Sequence, residues 1–372
     1  MKQLKAVAIR ADASIEMGTG HVMRCLTLAD AMRSRGARCQ FISRNHPGNL
    51  IELIRQRGYE VTALPPEPNL NRFANVLKVP LPAHAHWLGC GWEQDAEQTL
   101  AAVRVIEPDL LVVDHYAIDV HWENVLRPHV DRLMVIDDLA DRRHECDYLL
   151  DQNLGRTSEN YASLVPARCV VCTGPLYALL RPEFASVRDY CIGRRHYSRL
   201  KNLFISMGGF DNSNSTTKVL GALTECSLPS DCQITVVLGA NSPWLQQVHD
   251  VAVSMKWPTH VKVGVENMAQ LMADSDLAIG AAGITSWERC CVGLPTLLVV
   301  LAENQWPGAE ALKRCSAAIL IGDFNDITDR LCLAIEAALQ GDTLAELHKA
   351  ASQITDGRGV EKILELLNVN NA

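Results

Sequence analysis

No apolar run in the chain approaches the ~20 residues needed to cross a bilayer. The longest candidate, residues 292–302, is about half that length. Near the start, the longest apolar run before Arg10 is the four residues Ala6 to Ile9, too few for the core of a secretory signal. Positive charge is in deficit: Lys and Arg number 35 against 43 Asp and Glu, a net charge of −8. That balance excludes a broad nucleic-acid surface and leaves room for a small anion pocket. Strict metal-ligand spacings are missing, with no His-x-x-x-His helix and no paired Cys motifs. The 13 cysteines are odd in number and scattered. Their only C-x-x-C, Cys169 to Cys172, falls in a strand-like stretch whose residues three apart face opposite ways, so it neither bridges easily nor shares a metal. Reduced, mostly buried thiols in a reducing compartment are therefore expected. These absences predict a soluble cytoplasmic protein, a monomer or weak homodimer, with no cofactor, no metal, and neither membrane nor nucleic acid as partner.

What the chain does have is enough apolar material, 48% of 372 residues, for two or three cored domains. Strand-like and helix-like stretches alternate. Ala6 to Ile9 leads into the turn Gly18-Thr-Gly20, then a helix pattern at Val22, Cys25, Leu26, Ala29 and Met32 stopped by Gly36. Strands are predicted at Cys39–Ser43, Glu60–Leu64, Leu110–Val113, Leu133–Ile136 and Val170–Thr173, with a helix at Leu50–Arg57. The rhythm restarts at Asn202–Ser206 with a second turn, Gly208-Gly209, and continues with strands at Gln233–Gly239, His260–Val263, Leu277–Gly280, Thr296–Leu301 and Ala318–Ile321. Short buried runs between helices are the pattern of a parallel sheet covered on both faces. The expectation is α/β: two Rossmann-like α/β/α domains facing across a cleft, residues 1–180 and 201–372, with the final helix able to pack back on the first. Residues 181–200, which with Lys201 hold six Arg and Lys without a clean period, read as a basic linker. A glycine turn opening a helix in each domain offers two anion sites, suited to a ligand with a central diphosphate.

His21 stands at the first turn of its helix, where the positive helix end favours a neutral imidazole able to take a proton. Asp12 and Ser14 share its loop and are placed to orient it or touch a substrate. In the second half, Gly280-Ala-Ala-Gly283 leaves a strand with room for a ligand against the backbone. Glu288, one turn into the next helix, is placed to accept from vicinal ribose hydroxyls. Glu303-Asn304-Gln305, after the following strand, suits sugar hydroxyls or amides. Acids and histidines at Asp114, His115, Asp119, His121, Asp137, Asp138 and His144 raise a metal-hydrolase reading, which their irregular spacing disfavours. Of the seven tryptophans, Trp287 is the one singled out as a stacking candidate.

Arg10-Ala-Asp-Ala-Ser14 with Gly18-x-Gly-His21-Val-Met-Arg24 resembles the opening of the UDP-2,4-diacetamido-2,4,6-trideoxy-β-L-altropyranose hydrolases of pseudaminic acid biosynthesis. Val113-Asp-His-Tyr116, the Gly174 to Phe184 stretch, Ser206-Met-Gly-Gly-x-Asp211, Thr285-Ser-Trp-Glu288, Gly293-Leu-Pro295 and Ala302-Glu-Asn-Gln305 extend the likeness in order, from residue 10 to about 310. The stretch Pro65–Cys90 has no counterpart. That family is similar to GT-B glycosyltransferases, including the lipid-II-forming N-acetylglucosaminyltransferase. The resemblance implies inverting hydrolysis of a UDP-sugar at the anomeric carbon, releasing UDP. It implies His21 as the base, Tyr116 and Asn304 at the sugar, and Glu288 at the ribose. Gly20, Arg24 and Gln305 join the substrate set as members of matched stretches, while Gly208 and Gly209 are expected to offer N–H groups to the diphosphate. A GT-B glycosyltransferase and a non-catalytic nucleotide-sugar binding module are the competing readings; the second has no need of a histidine after Gly20.

Overall fold

Apolar runs too short to be helices become buried parallel strands when crossover helices cover both sheet faces, and this chain does so twice. The computed structural model describes residues 4–66, 81–195 and 199–368. The chain divides into unit 1, Met1–Leu179 with Gly359–Ala372, and unit 2, Leu180–Arg358.

Unit 1 runs β1 (Ala6–Ala11), α1 (Gly20–Ser34), β2 (Arg38–Arg44), α2 (Ile51–Gln56), β3 (Glu60–Leu64), α3 (Trp92–Ile106), β4 (Leu110–Asp114), α4 (Val120–Leu126), β5 (Arg132–Ile136), β6 (Tyr148–Asp151) and β7 (Val170–Thr173). Its strands pair in parallel in the order β3-β2-β1-β4-β5-β6-β7. Val22, Cys25 and Leu28 of α1 pack with Ile9, Val112 and Ile136 on one face; Leu111, Val113, Leu149 and Trp122 form the core of the other. Cys172 belongs to the first core and Cys169 lies against the second, so the sheet separates the C-x-x-C pair.

Unit 2 runs α5 (Pro182–Arg194), β8 (Asn202–Ser206), α6 (Ser215–Leu223), β9 (Gln233–Leu238), α7 (Leu245–Val253), β10 (Thr259–Val263), α8 (Met268–Ala273), β11 (Leu277–Ala281), α9 (Thr285–Cys291), β12 (Thr296–Val300), α10 (Trp306–Arg314), β13 (Ile319–Asp323), α11 (Ile327–Leu339) and α12 (Thr343–Ser352). Its parallel order is β10-β9-β8-β11-β12-β13. The chain then returns to unit 1 as α13 (Gly359–Leu366), where Val360, Ile363 and Leu364 join the core beside α1.

In each unit the strand order reverses once, between β1 and β4 and between β8 and β11. Loops leaving the carboxyl ends of such a strand pair turn to opposite faces and open a crevice, the usual ligand site of an open α/β sheet.

Two expectations are corrected. The basic stretch 181–200 is no linker: it forms α5, with 196–198 outside the described residues. Its arginines lack a helical period because they serve neighbouring helix ends, where carbonyls are left unpaired and the dipole is negative. Arg188 donates to the carbonyls of Cys291 and Ser352, and Arg194 to those of Ala273, Asp274 and Ser275. Arg195, fully buried, donates to the carbonyls of Met272, Ala273, Ser275 and Val292. Nor are all cysteines reduced: Cys226, just beyond α6, is joined to Cys332 of α11 by a disulfide. The other cysteines are buried or half-buried except Cys315. Among the described residues no helix is long and apolar enough to cross a membrane.

Candidate active site

The switch point of unit 1 brings together two loops some 90 residues apart in sequence. Ala11 and Asp114 are paired at the ends of β1 and β4. After β1, the Ser14 hydroxyl accepts from the Met17 N–H at 3.0 Å, and Gly18 takes a positive φ of 78°. That turn starts α1 at Gly20, so His21 faces the end of β4. His21 Nδ1 lies 2.6 Å from Asp114 Oδ1. Arg24, one helical turn further, donates Nε to Asp114 Oδ2 at 2.6 Å and Nη2 to Oδ1 at 2.7 Å. Its Nη1 reaches Asp138 Oδ2 at 2.7 Å, and the Tyr116 hydroxyl donates to that same oxygen at 2.7 Å. The circuit closes where Tyr116 meets the His21 ring edge-on at 4.6 Å between centroids.

The charges in this circuit are fixed. Burial alone would raise the Asp114 carboxyl, but the Arg24 cation and His21 hold it well below the ordinary carboxylate range. Burial opposes the Arg24 charge, yet Asp114 and Asp138 keep the guanidinium firmly protonated. Burial and Asp138 push the Tyr116 hydroxyl up, so it remains a donor. An ionised carboxylate only accepts hydrogen bonds. In the neutral imidazole Nδ1 of His21 is therefore the nitrogen that carries the proton, and Nε2 the one with the lone pair. The His21 side chain keeps 8% of its surface exposed, whereas Asp114 has none, so only the imidazole is reachable.

Asp12 does not join His21. Its carboxylate is fully buried and accepts from Arg10 Nη1 at 2.6 Å, Arg10 Nη2 at 2.8 Å and the Arg44 N–H at 2.7 Å. Burial raises Asp12, but Arg10, His115 and His46 outweigh it and hold the group well below the ordinary range. It anchors a network that includes Asp95, Arg44 and the Trp122 indole. Arg24 likewise spends its fork on protein carboxylates. Asp114, not Asp12, is the carboxylate paired with His21, and Asp138 joins this circuit unforeseen; Asp114 ends β4 and Asp138 lies two residues past β5, strands whose apolar runs are legible in sequence. From the unmatched Pro65–Cys90 stretch, of which 67–80 lie outside the described residues, Trp87 stacks on Tyr116 at 5.7 Å.

In unit 2 the loops after β8, β11 and β12 are neighbours along one sheet edge. Gly208 takes a φ of 101°, and the Gly209 backbone lies so close to Gly239 that no side chain fits there. Asp211 then accepts the N–H groups of Ser215 and Thr216, both at 2.8 Å. The start of α6, expected to hold a phosphate, is thus already capped by a carboxylate, one that burial raises. After β11, Glu288 is reached by Arg181 Nη2 at 3.4 Å; burial raises its carboxyl against that cation. Asn304 is exposed on the short turn after β12, while Gln305 Oε1 accepts the Leu301 N–H at 2.9 Å and its amide nitrogen faces Gly283. Trp287 is 4% exposed and packed in the interior, which leaves no face for stacking. Among the described residues no group of three His, Cys, Asp or Glu side chains is arranged to hold a metal ion.

The chain shares 98% of its length with the crystal structure of MurG from Acinetobacter baumannii, 99% of that chain, at a TM-score of 0.68 and 15% identity. The fold is GT-B. CalG4, the calicheamicin glycosyltransferase, aligns over 99% of both chains at a TM-score of 0.58 and 14% identity. In sequence, the chain is 26% identical over 283 residues to the UDP-2,4-diacetamido-2,4,6-trideoxy-β-L-altropyranose hydrolase of Campylobacter jejuni, covering 75% of this chain and 86% of that one. It is 23% identical over 97% of both chains to the spore coat polysaccharide biosynthesis protein SpsG of Bacillus subtilis. An uncharacterised protein of Methanocaldococcus jannaschii is 27% identical over 303 residues, and the match spans only 56% of that longer protein. No protein-family model matches the chain.

Proposed function

We propose that this protein hydrolyses a UDP-sugar, with UDP-2,4-diacetamido-2,4,6-trideoxy-β-L-altrose as the substrate. The observation that carries the reading is the 2.6 Å pairing of His21 with an ionised, buried Asp114. In the proposed step, Nε2 of His21 takes a proton from water as the water oxygen attacks the anomeric carbon. The bond from that carbon to the diphosphate oxygen breaks, its electrons leave with UDP, and the configuration inverts. UDP is a good leaving group, so one base and an electrostatic cradle are enough, without a second carboxylate. Asp114 orients the imidazole and stabilises the imidazolium that forms, and Tyr116 walls the sugar. Unit 2 takes the UDP: Glu288 the ribose, the 281–285 loop the diphosphate with Gly208 and Gly209 beside it, and Asn304 and Gln305 the sugar. The likeness to the Campylobacter jejuni hydrolase supports this reading.

The fold favours a second reading, transfer of the sugar to an acceptor. Incubating the protein with the UDP-sugar and no acceptor separates the two. Stoichiometric free sugar and UDP support hydrolysis; UDP that appears only when an acceptor is added supports transfer.

A further inference from the structure

Buried arginines in this chain generally meet carboxylates. Arg10 and Arg44 bind Asp95, Arg24 binds Asp114, and Arg142 binds Asp137. Arg195 is spread over helix-end carbonyls instead. Arg289 has neither arrangement. It sits in α9 with 1% of its surface exposed, and among the described residues no carboxylate oxygen lies within 4.0 Å of it. Its Nη2 donates to the Ala281 carbonyl at 2.7 Å and the Ser286 hydroxyl at 3.0 Å, and Nη1 to the Thr285 hydroxyl at 3.2 Å. Its Nε finds no acceptor among the described residues. A methyl on Gly280 would run into the guanidinium, so the glycine is what allows the cation to lie under the loop. Burial lowers Arg289 to about 10, which still leaves it charged at neutral pH.

A cation removed from water is costly when no carboxylate touches it, and Glu288 acts on Arg289 only without contact. This one props the 281–286 loop from inside. The same loop's N–H groups at Gly283, Ile284 and Thr285 meet no acceptor among the described residues. We propose that Arg289 is a positioning residue for a phosphate-bearing ligand: the phosphates of a nucleoside diphosphate, accepted by those N–H groups, add negative charge to a cation that otherwise feels Glu288 only without contact. The proposal rests on the nucleotide reading of unit 2. Arg289 acts through the loop, setting its donors and adding an attractive field behind them.

The test compares calorimetric binding of UDP, inorganic pyrophosphate and uridine to the full chain and to Arg289→Met and Arg289→Lys. Arg289→Met is expected to weaken UDP and pyrophosphate binding on the order of 10- to 100-fold, leave uridine unchanged, and melt no lower than wild type without ligand. Equal losses for UDP and uridine would mean a collapsed loop and overturn the proposal, as would no loss for either. If Arg289→Met does not fold, Arg289→Lys decides. A lysine left without a counter-ion loses its proton far more readily than arginine does. Its UDP-to-uridine affinity ratio should therefore fall between about pH 7 and 9, a window in which the wild-type guanidinium keeps its charge and the wild-type ratio stays flat. Flat ratios in both would overturn the proposal. Wild-type protein that binds neither UDP nor pyrophosphate removes the nucleotide reading along with it; wild-type binding that Arg289→Met leaves intact removes only the role of Arg289.

Discussion

Replacing Asp114 by Asn tests the proposed base more sharply than removing the base itself. Both oxygens are engaged: Oδ1 by Arg24 Nη2 and His21 Nδ1, and Oδ2 by Arg24 Nε. An amide has one acceptor and one donor group, so either orientation sets an N–H against an Arg24 donor. With the amide nitrogen at the Oδ1 position it also donates to His21 Nδ1, moving the imidazole proton to Nε2 and leaving no lone pair for water. Breaking a buried ion pair from one side costs about 3–5 kcal/mol of stability, and a wrong His tautomer in comparable triads costs about four decades of turnover. We expect Asp114→Asn to lose roughly two to four decades in kcat, or about 3–5 kcal/mol of transition-state stabilisation. UDP affinity should hold, since the contacts proposed for UDP lie in unit 2. The assay is single-turnover UDP release beside calorimetric UDP binding and a thermal melt. Because the folded carboxyl lies far below its ordinary 3.8, Asp114 contributes stability above about pH 4 and loses it as the pH falls. The melting gap between wild type and Asp114→Asn should therefore narrow in acid. A folded Asp114→Asn that turns over within about threefold of wild type would refute the orienting role.

His21→Asn should lose at least about two decades in kcat while still binding UDP, measured by steady-state UDP release and calorimetry. Glu288→Gln should chiefly raise KM, by about 5- to 150-fold for a loss of about 1–3 kcal/mol, and a kcat defect at unchanged KM would count against the ribose assignment. Turnover should survive EDTA, and rescue of lost activity by Mg²⁺ or Mn²⁺ would contradict the proposed step. Asp211→Ala removes the carboxylate cap of α6 and should cost about 0.5–2 kcal/mol in a denaturant melt.

The two-sheet α/β fold was legible because buried parallel strands leave compact apolar runs, such as Leu110–Val113 and Thr296–Leu301, bounded by turn residues. The four residues of β6, Tyr148–Asp151, are too short a run to stand out. The first turn of α1 was equally readable from Gly18, Gly20 and His21. The partner of His21 was not: Asp114 lies 93 positions away, and only the strand order brings the two together. Composition also hides whether a charge is already committed. Asp12 and Arg24 read as ligand-facing because nothing in their loops reveals Arg10, Asp114 and Asp138 folding onto them. The arginines of α5 suggested a linker for the same reason, since helix-end carbonyls leave no mark in sequence. Asp211 stands in a motif that the sequence shows, but its positive φ of 50° and its place on α6 are products of the folded turn.

The return of α13 to unit 1 has a consequence for how the protein is made. Unit 2 is one uninterrupted segment and holds its own core, so it can fold as soon as residue 358 is available. Unit 1 cannot finish then. Val360, Ile363, Leu364 and Leu367 fill the layer beside α1, whose first turn carries His21. Until they arrive, that helix lacks part of its apolar support. The domain begun first on the ribosome is thus completed last. A chain released before residue 359 should present a folded unit 2 beside a loosened α1, coupling the geometry around His21 to whether synthesis reached α13.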